Sequence, residues 1–341
     1  MEQTVIDYQK IRHVHLEISS RCNAACPDCP RNLFGVNVVD NYPQCDLRLE
    51  QIKTIFASEF LRQLESILIC GNYGDFVTAR DGVDCVEYFY QTNPNLHVSI
   101  STNASARPDI WPRLGRTPVE IEFRIDGLKD THHLYRVNTD WDTVIKNAGA
   151  FISAGGRAIW HMIVFEHNQH QIDACRDMSR ELGFYRFEIT QQDPGVRNRM
   201  PVFGPDQQLR YVIGGYDSDT DFAYLKHHYF TRDHWQDMEY SVPAETIQCK
   251  AIGDGRDHSI YITSNGEVYP CCWLGFYPLT NDTRLGNLQI RSMIRNNSAL
   301  EHGIPRAIEW FSKISQSWQL ATVHQGRIDT CNTTCGSCHR S

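Results

Sequence analysis

Six short apolar runs separated by helical patterns predict an α/β protein of parallel β/α units, with a smaller cysteine-rich unit at its C-terminal end. The runs are His13–Ile18, Ser66–Cys70, His97–Ser101, Val119–Ile125, Ile159–Phe165 and Arg186–Thr190. Strands that alternate with helical stretches pair in parallel through right-handed crossovers. Six units of about thirty residues each fall short of the eight in a complete barrel. A chain of 341 residues also exceeds the usual single-domain length, which points to one large domain and a smaller one.

The intervening stretches carry helical spacing. Ile52, Ile55, Phe56 and Phe60 mark one stripe. A second runs through Trp141, Val144, Ile145, Ala148, Phe151 and Ile152, with Asp140 placed to cap its start and Gly155-Gly156 to end it. Ile172, Cys175 and Leu182 suggest a further helix closed by Gly183. After residue 190 the alternation is lost. Pro194, Gly195, Pro201, Gly204, Pro205 and Gly214-Gly215, followed by the acidic run 217–221, read as a linker or insertion that shapes a pocket. Its His227, His228, Tyr229, His234 and Trp235 are candidates for touching substrate. The expected division is therefore 1–190, 191–245 and 246–341.

Hydrophobic residues at 41% and charged residues at 22% are ordinary for a globular chain. A net charge of −8 leaves no basic footprint, so nucleic acid is not suggested as a partner. The N-terminal residues lack the apolar stretch of a signal peptide, and no run approaches a membrane span. A cytoplasmic protein is expected.

The cysteines carry the chemistry. Cys22, Cys26 and Cys29 stand in a C-x3-C-x2-C spacing directly after the first strand. Thiolates so placed converge on one soft metal centre, and three ligands in place of four leave a position open. The loop leaves the C-terminal end of its strand, where α/β folds place their chemistry. Thirteen cysteines in a reducing compartment read as ligands or core residues rather than disulfides. Cys70, Cys85 and Cys175, each within an apolar pattern, read as small core hydrophobes, and Cys45 lies in a polar loop.

Six more cysteines fall in the last hundred residues: Cys249, Cys271, Cys272, Cys331, Cys335 and Cys338. Asn265-Gly266 between alternating runs predicts a type I′ hairpin that brings Cys249 and Cys271 within reach of each other. Leu285-Gly286-Asn287-Leu288 then leads a helix through Met293, Ile294 and Leu300. Four thiolates here suit zinc as well as iron.

Together these motifs resemble the radical S-adenosylmethionine (SAM) superfamily with a C-terminal SPASM or twitch extension. The C-x3-C-x2-C loop resembles the site of its SAM-binding [4Fe-4S] cluster. Arg124-Ile125-Asp126-Gly127 with His132 and Arg136 resembles a segment of the SPASM-bearing members, and Asn168 stands where a family Asn follows the fifth strand. Gly71-Asn72-Tyr73-Gly74-Asp75 stands where the family carries a SAM-binding G-G-E-type loop, although Asn72 and Asp75 depart from it. Asp28 replaces the usual aromatic before the third cysteine.

The resemblance implies a partial (β/α)6 TIM-type barrel and reductive cleavage of SAM to a 5′-deoxyadenosyl radical. It implies Gly71, Asn72, Gly74, Asp75, Ser101, Asn103, Asp126 and Arg136 as cofactor-binding residues, with Arg136 pairing the SAM carboxylate. It further implies one auxiliary [4Fe-4S] cluster on Cys249, Cys271, Cys335 and Cys338, with Cys272 or Cys331 as substitutes, and a flavodoxin- or ferredoxin-type electron donor. The expected reaction is hydrogen abstraction from a small polar metabolite or a peptide residue, giving net oxidation. Peptide maturation or epimerisation is the alternative, and a non-catalytic iron–sulfur or zinc protein the reading from another class. Because the first strand starts by residue 13, no leader-binding domain is expected upstream of it.

Overall fold

The computed structural model describes residues 6–37, 43–191, 200–213, 247–252, 257–276, 285–320, 325–328, 330–331 and 335. The strands are β1 (Ile11–Leu16), β2 (Asn32–Leu33), β3 (Val36–Asn37), β4 (Ser66–Ile69), β5 (His97–Thr102), β6 (Glu120–Arg124), β7 (Arg157–Val164), β8 (Arg186–Gln191), β9 (Met200–Phe203), β10 (Leu209–Ile213), β11 (His258–Ile262) and β12 (Val268–Tyr269). The main sheet runs β12-β11-β1-β4-β5-β6-β7-β8, parallel throughout except at β11/β12. All six expected strands are present in their expected order. The fold is the anticipated open α/β barrel.

A seventh parallel strand was not expected. β11, the first strand of the C-terminal hairpin, lies beside β1 with Val14 opposite Ile260 and Leu16 opposite Ile262. The pairing covers an edge of β1 that would otherwise expose its backbone groups. The hairpin turn also differs from type I′, which needs two residues with positive φ. Only Gly266 has one, at +83°. Its N–H donates to Thr263 O, and Thr263 N–H donates to Glu267 O, which is a three-residue loop with a glycine bulge.

The Ile52–Phe60 stripe is split into two helices, Leu49–Ile55 and Ser58–Gln63, because Phe56 leaves helical geometry at φ −100°, ψ 54°. Its apolar residues are buried nonetheless. The helix Trp141–Ser153 starts as expected, with the Asp140 carboxylate accepting from Thr143 N–H at 2.8 Å. Gly155 and Gly183 end their helices with φ of +98° and +83°. The helix Gly82–Thr92, which buries Val83, Cys85, Val86 and Phe89, was not read from the sequence. The segment read as one helix after Leu285 contains two, Leu285–Met293 and Ala299–Ala307.

Strand alternation divides the sheet into two faces. Val14, Leu16, Ile67, Ile69, Val98, Ile100, Ile121, Phe123, Trp160 and Met162 are buried in the main core beneath the helices. Residues of the opposite, inner face are polar to an unusual degree for parallel strands: His13, His15, Ser66, Cys70, Ser99, Ser101, Glu122, Arg124, His161, Glu188 and Thr190. Cys85 and Cys175 are fully buried core residues as read. Cys70 is not: it is partly exposed and its thiol lies near Ser101 and Arg124 of the inner face.

Candidate active site and a second cysteine cluster

The loop after β1 carries Cys22, Cys26 and Cys29 close enough that Cys26 and Cys29 raise the pKa of Cys22 and Cys26 raises that of Cys29. Burial is the larger effect and pushes all three up, Cys29 to about 12. Such thiols ionise readily only when a cation or metal centre offsets the lost solvation. The chain provides several donors to them. Ala24 N–H and the Asn103 amide donate to Cys22 Sγ at 3.4 and 3.6 Å, and Arg136 Nη1 donates to Cys26 Sγ at 3.8 Å.

Arg136 is not a surface residue. Its side chain is 12% exposed, and its Nε donates at 2.6 Å to the fully buried carboxylate of Asp126. The second Asp126 oxygen accepts from Ile163 N–H at 2.6 Å, so β7 anchors the pair. The surrounding negative groups, Asp126 first, raise the Arg136 pKa despite its burial. A cationic fork thus stands against the cysteine loop. Asn168 supports this corner: its amide donates to Asp126 O and Ile163 O, and its oxygen accepts from Phe165 N–H.

The Gly71–Asp75 loop packs directly under the cysteine loop. A Cβ on Gly74 would lie 1.7 Å from Ser19 O, and one on Gly71 would lie 2.5 Å from Gly74 O. Buried Glu17 accepts from Tyr73 N–H at 2.7 Å and shapes the turn. The Asp75 carboxylate accepts from Thr102 Oγ1 at 2.5 Å, Asn103 N–H at 2.8 Å and Val77 N–H at 3.1 Å. It ties the loops after β4 and β5 together. The Asn72 amide points elsewhere, donating to Cys272 O at 2.9 Å.

Ser101 accepts from Arg124 Nε at 2.7 Å and begins a network across the inner face. Arg124 pairs with Glu122 at 2.8 Å, Glu122 with His161 Nδ1 at 2.5 Å, and His161 Nε2 with Thr190 Oγ1 at 2.7 Å. Glu188 brings a second carboxylate within 4.8 Å of the Glu122 and His161 ligand atoms. Sequence reading missed Glu122, Arg124, His161 and Glu188. The available signal was charge at alternate positions of strands that parallel sheets normally make apolar on both faces.

A second cysteine cluster lies at the C-terminal end. Cys249, Cys271, Cys331 and Cys335 line one small cavity together with Ile247, Leu274, Ile314, Trp318 and Thr330. Burial raises the pKa of Cys249 and Cys331, the neighbouring Cys335 thiol adds to both shifts, and burial holds Cys271 well above the usual thiol range. Cys272 is not in that cavity wall. Cys338 lies outside the described residues, as do most of the insertion and its His227, His228, Tyr229, His234 and Trp235.

Residues 249–339 match the family model of SPASM, an iron–sulfur cluster-binding domain. No curated protein sequence matches the chain. Among solved structures, Streptococcus suis SuiB bound to S-adenosylmethionine is 15% identical, with 94% of this chain and 77% of that chain covered at a TM-score of 0.52. SuiB bound to its precursor peptide SuiA is also 15% identical, covering 94% and 76% at 0.53. Native anSMEcpe with bound AdoMet is 14% identical, covering 96% and 91% at 0.53. The chain shares the overall fold of these SAM-bound structures, and its residues 249–339 are similar to the SPASM iron–sulfur cluster-binding domain. No helix among the described residues is long and apolar enough to cross a membrane.

Proposed function

We propose that this chain, an enzyme of the radical SAM class with a SPASM domain, abstracts hydrogen from a small polar substrate held on the inner face of its barrel. The carrying observation is that the three-thiol loop, backed by the Arg136–Asp126 pair, opens at the end of a sheet whose inner face is polar. Three thiols in one loop, Cys26 buried and Cys22 and Cys29 half-buried, suit a [4Fe-4S] cluster with one open iron, since such clusters are held by cysteine thiolates. When bound, the cluster and SAM supply a reductively generated 5′-deoxyadenosyl radical.

The remaining work belongs to the chain's own residues. Arg136 neutralises negative charge beside Cys26 and offers its fork to the SAM carboxylate. Asn103, which already donates to Cys22 Sγ, reaches the same space from β5, and the Gly71–Asp75 loop closes it from below. Ser101, Arg124, Glu122, His161 and Thr190 form a preorganised polar wall that orients the substrate. An electron donor of the flavodoxin or ferredoxin class would reduce the first cluster. Cys249, Cys271, Cys331 and Cys335 would hold one auxiliary cluster, whose chemistry there would be to accept the one electron that a substrate radical must lose, with a proton, for net oxidation. A peptide residue as substrate is the second reading, favoured by the likeness to SuiB bound to SuiA and to anSMEcpe bound to the Cp18Cys peptide.

Anaerobic reconstitution, dithionite reduction and assay for 5′-deoxyadenosine test the proposal. The Cys22/Cys26/Cys29→Ala triple variant is expected to form none. Equal SAM cleavage by that variant would sink the reading. Iron and sulfide at about eight each per chain support two four-iron clusters, whereas about four with roughly one zinc supports a structural zinc at the second site. Turnover in D2O separates outcomes: solvent deuterium at the reacting carbon means epimerisation and overturns net oxidation.

A further inference from the structure

We infer that the indole N–H of Trp318 donates to a sulfur of the auxiliary cluster and raises its reduction potential. The inference rests on the reading of Cys249, Cys271, Cys331 and Cys335 as that cluster's ligands. Trp318 follows the helix Ser312–Ser317, and its backbone N–H is held by Ser315 O at 3.2 Å. This places its ring in the wall of the four-cysteine cavity. The indole Nε1 is buried and has no hydrogen-bond partner at ordinary length. The Trp318 side chain acts as a hydrogen-bond donor toward the thiol of Cys331 in the same wall.

An indole nitrogen is a donor only, so burial without an acceptor carries a cost that the cavity's contents must offset. Ile247, Pro270, Leu274 and Ile314 supply no acceptor side chain to that space; Thr330 contributes one hydroxyl, and the other side-chain acceptors lining it are the sulfurs of Cys249, Cys271, Cys331 and Cys335. A thiolate or bridging sulfide accepts more strongly than a thiol, and more strongly still once an added electron increases its negative charge. A donor of this kind stabilises the reduced cluster over the oxidised one, and hydrogen bonds to sulfur are a recognised determinant of cluster potential. Trp310 provides the contrast within the same chain. Its Nε1 is also buried without a partner, but its ring packs on Tyr269 and Phe311 and not in the cysteine cavity.

The test is EPR-monitored potentiometry of the reconstituted full-length protein, after iron and sulfide analysis has established that the second site holds a cluster. A zinc-filled or empty second site refutes the underlying assignment and the inference with it. With the cluster in place, W318F is expected to change the reduced-to-oxidised ratio about tenfold toward oxidised, a lowering of about 59 mV for one electron. W318H, which keeps a donor, stays near wild type, and W310F is unchanged. An unchanged potential in fully loaded W318F overturns the inference. Should W318F fail to load, wild-type protein with 15N-indole tryptophan decides: pulsed EPR shows nitrogen coupling to the reduced auxiliary cluster, and its absence overturns the inference.

Discussion

Asn72 and Cys272 lie 200 positions apart and are joined by a 2.9 Å hydrogen bond from the Asn72 amide to the Cys272 carbonyl. Asn72 belongs to the loop beneath the first three cysteines, and Cys272 adjoins Cys271 of the second cluster. The bond therefore fastens the two cysteine sites to each other. Asn72→Ala is expected to destabilise the protein by about 1 kcal/mol, the usual net worth of such a bond. Urea unfolding of the holo protein measures it. Increased hydrogen exchange should be confined to the helix Cys272–Phe276 and the Gly71–Asp75 loop.

The second cluster's ligands can be separated by single substitutions. Cys331→Ser is expected to remove the auxiliary iron, because Cys331 shares the cavity with Cys249, Cys271 and Cys335. Cys272→Ser, outside that wall, should leave the iron content unchanged. Iron analysis and the EPR spectrum of each variant check both outcomes.

Asp126→Asn leaves the Arg136 guanidinium buried beside Cys26 without its carboxylate. Breaking one side of a buried ion pair costs roughly 3–5 kcal/mol. The variant should unfold at correspondingly lower urea, and SAM-dependent cleavage should fall with it. A loss below about 1 kcal/mol would place the pair effectively in solvent, where ion pairs contribute that little.

Stability should decline as pH falls from about 6.5 toward about 4. Burial lowers the pKa of fully buried His132 to about 4, and its Nδ1 accepts the Asp126 N–H at 3.1 Å, which requires the neutral ring. Burial likewise lowers His167 to about 4. Unfolded histidines bind a proton near pH 6.5. Between the two values the unfolded chain carries more protons, so stability is complete above that range and lost on descent through it. Urea midpoints measured at pH 7.5, 6, 5 and 4.5 should fall in that order, and His132→Gln should flatten the trend.

Much of the core was legible in the sequence because its signals are local. Apolar runs of strand length, helical spacing, the Asp140 cap and the Gly155 and Gly183 stops each depend on neighbours within a few positions. The same holds for the C-x3-C-x2-C loop, whose spacing is a local signal read within eight residues. Other local readings failed where a nearby alternative had the same pattern. Asn265-Gly266 is compatible with a two-residue turn and with the three-residue glycine bulge that formed, and backbone hydrogen bonding to Glu267 selected the second.

Only the tertiary structure decided which distant groups meet. The strand period of two says that Cys70 and Glu122 face opposite to their apolar neighbours, but not that the helices cover only the other face. Spacing likewise left Cys272 and Cys331 equivalent as substitute ligands. The fold placed Cys331 in the cavity wall and turned the Cys272 carbonyl toward Asn72. In the same way β11 came to lie against β1, since an open strand edge recruits whichever segment can satisfy its backbone. These are contacts between residues far apart in the chain. The sequence determined each partner's chemistry and local shape, and packing over the whole core determined which partners were brought together.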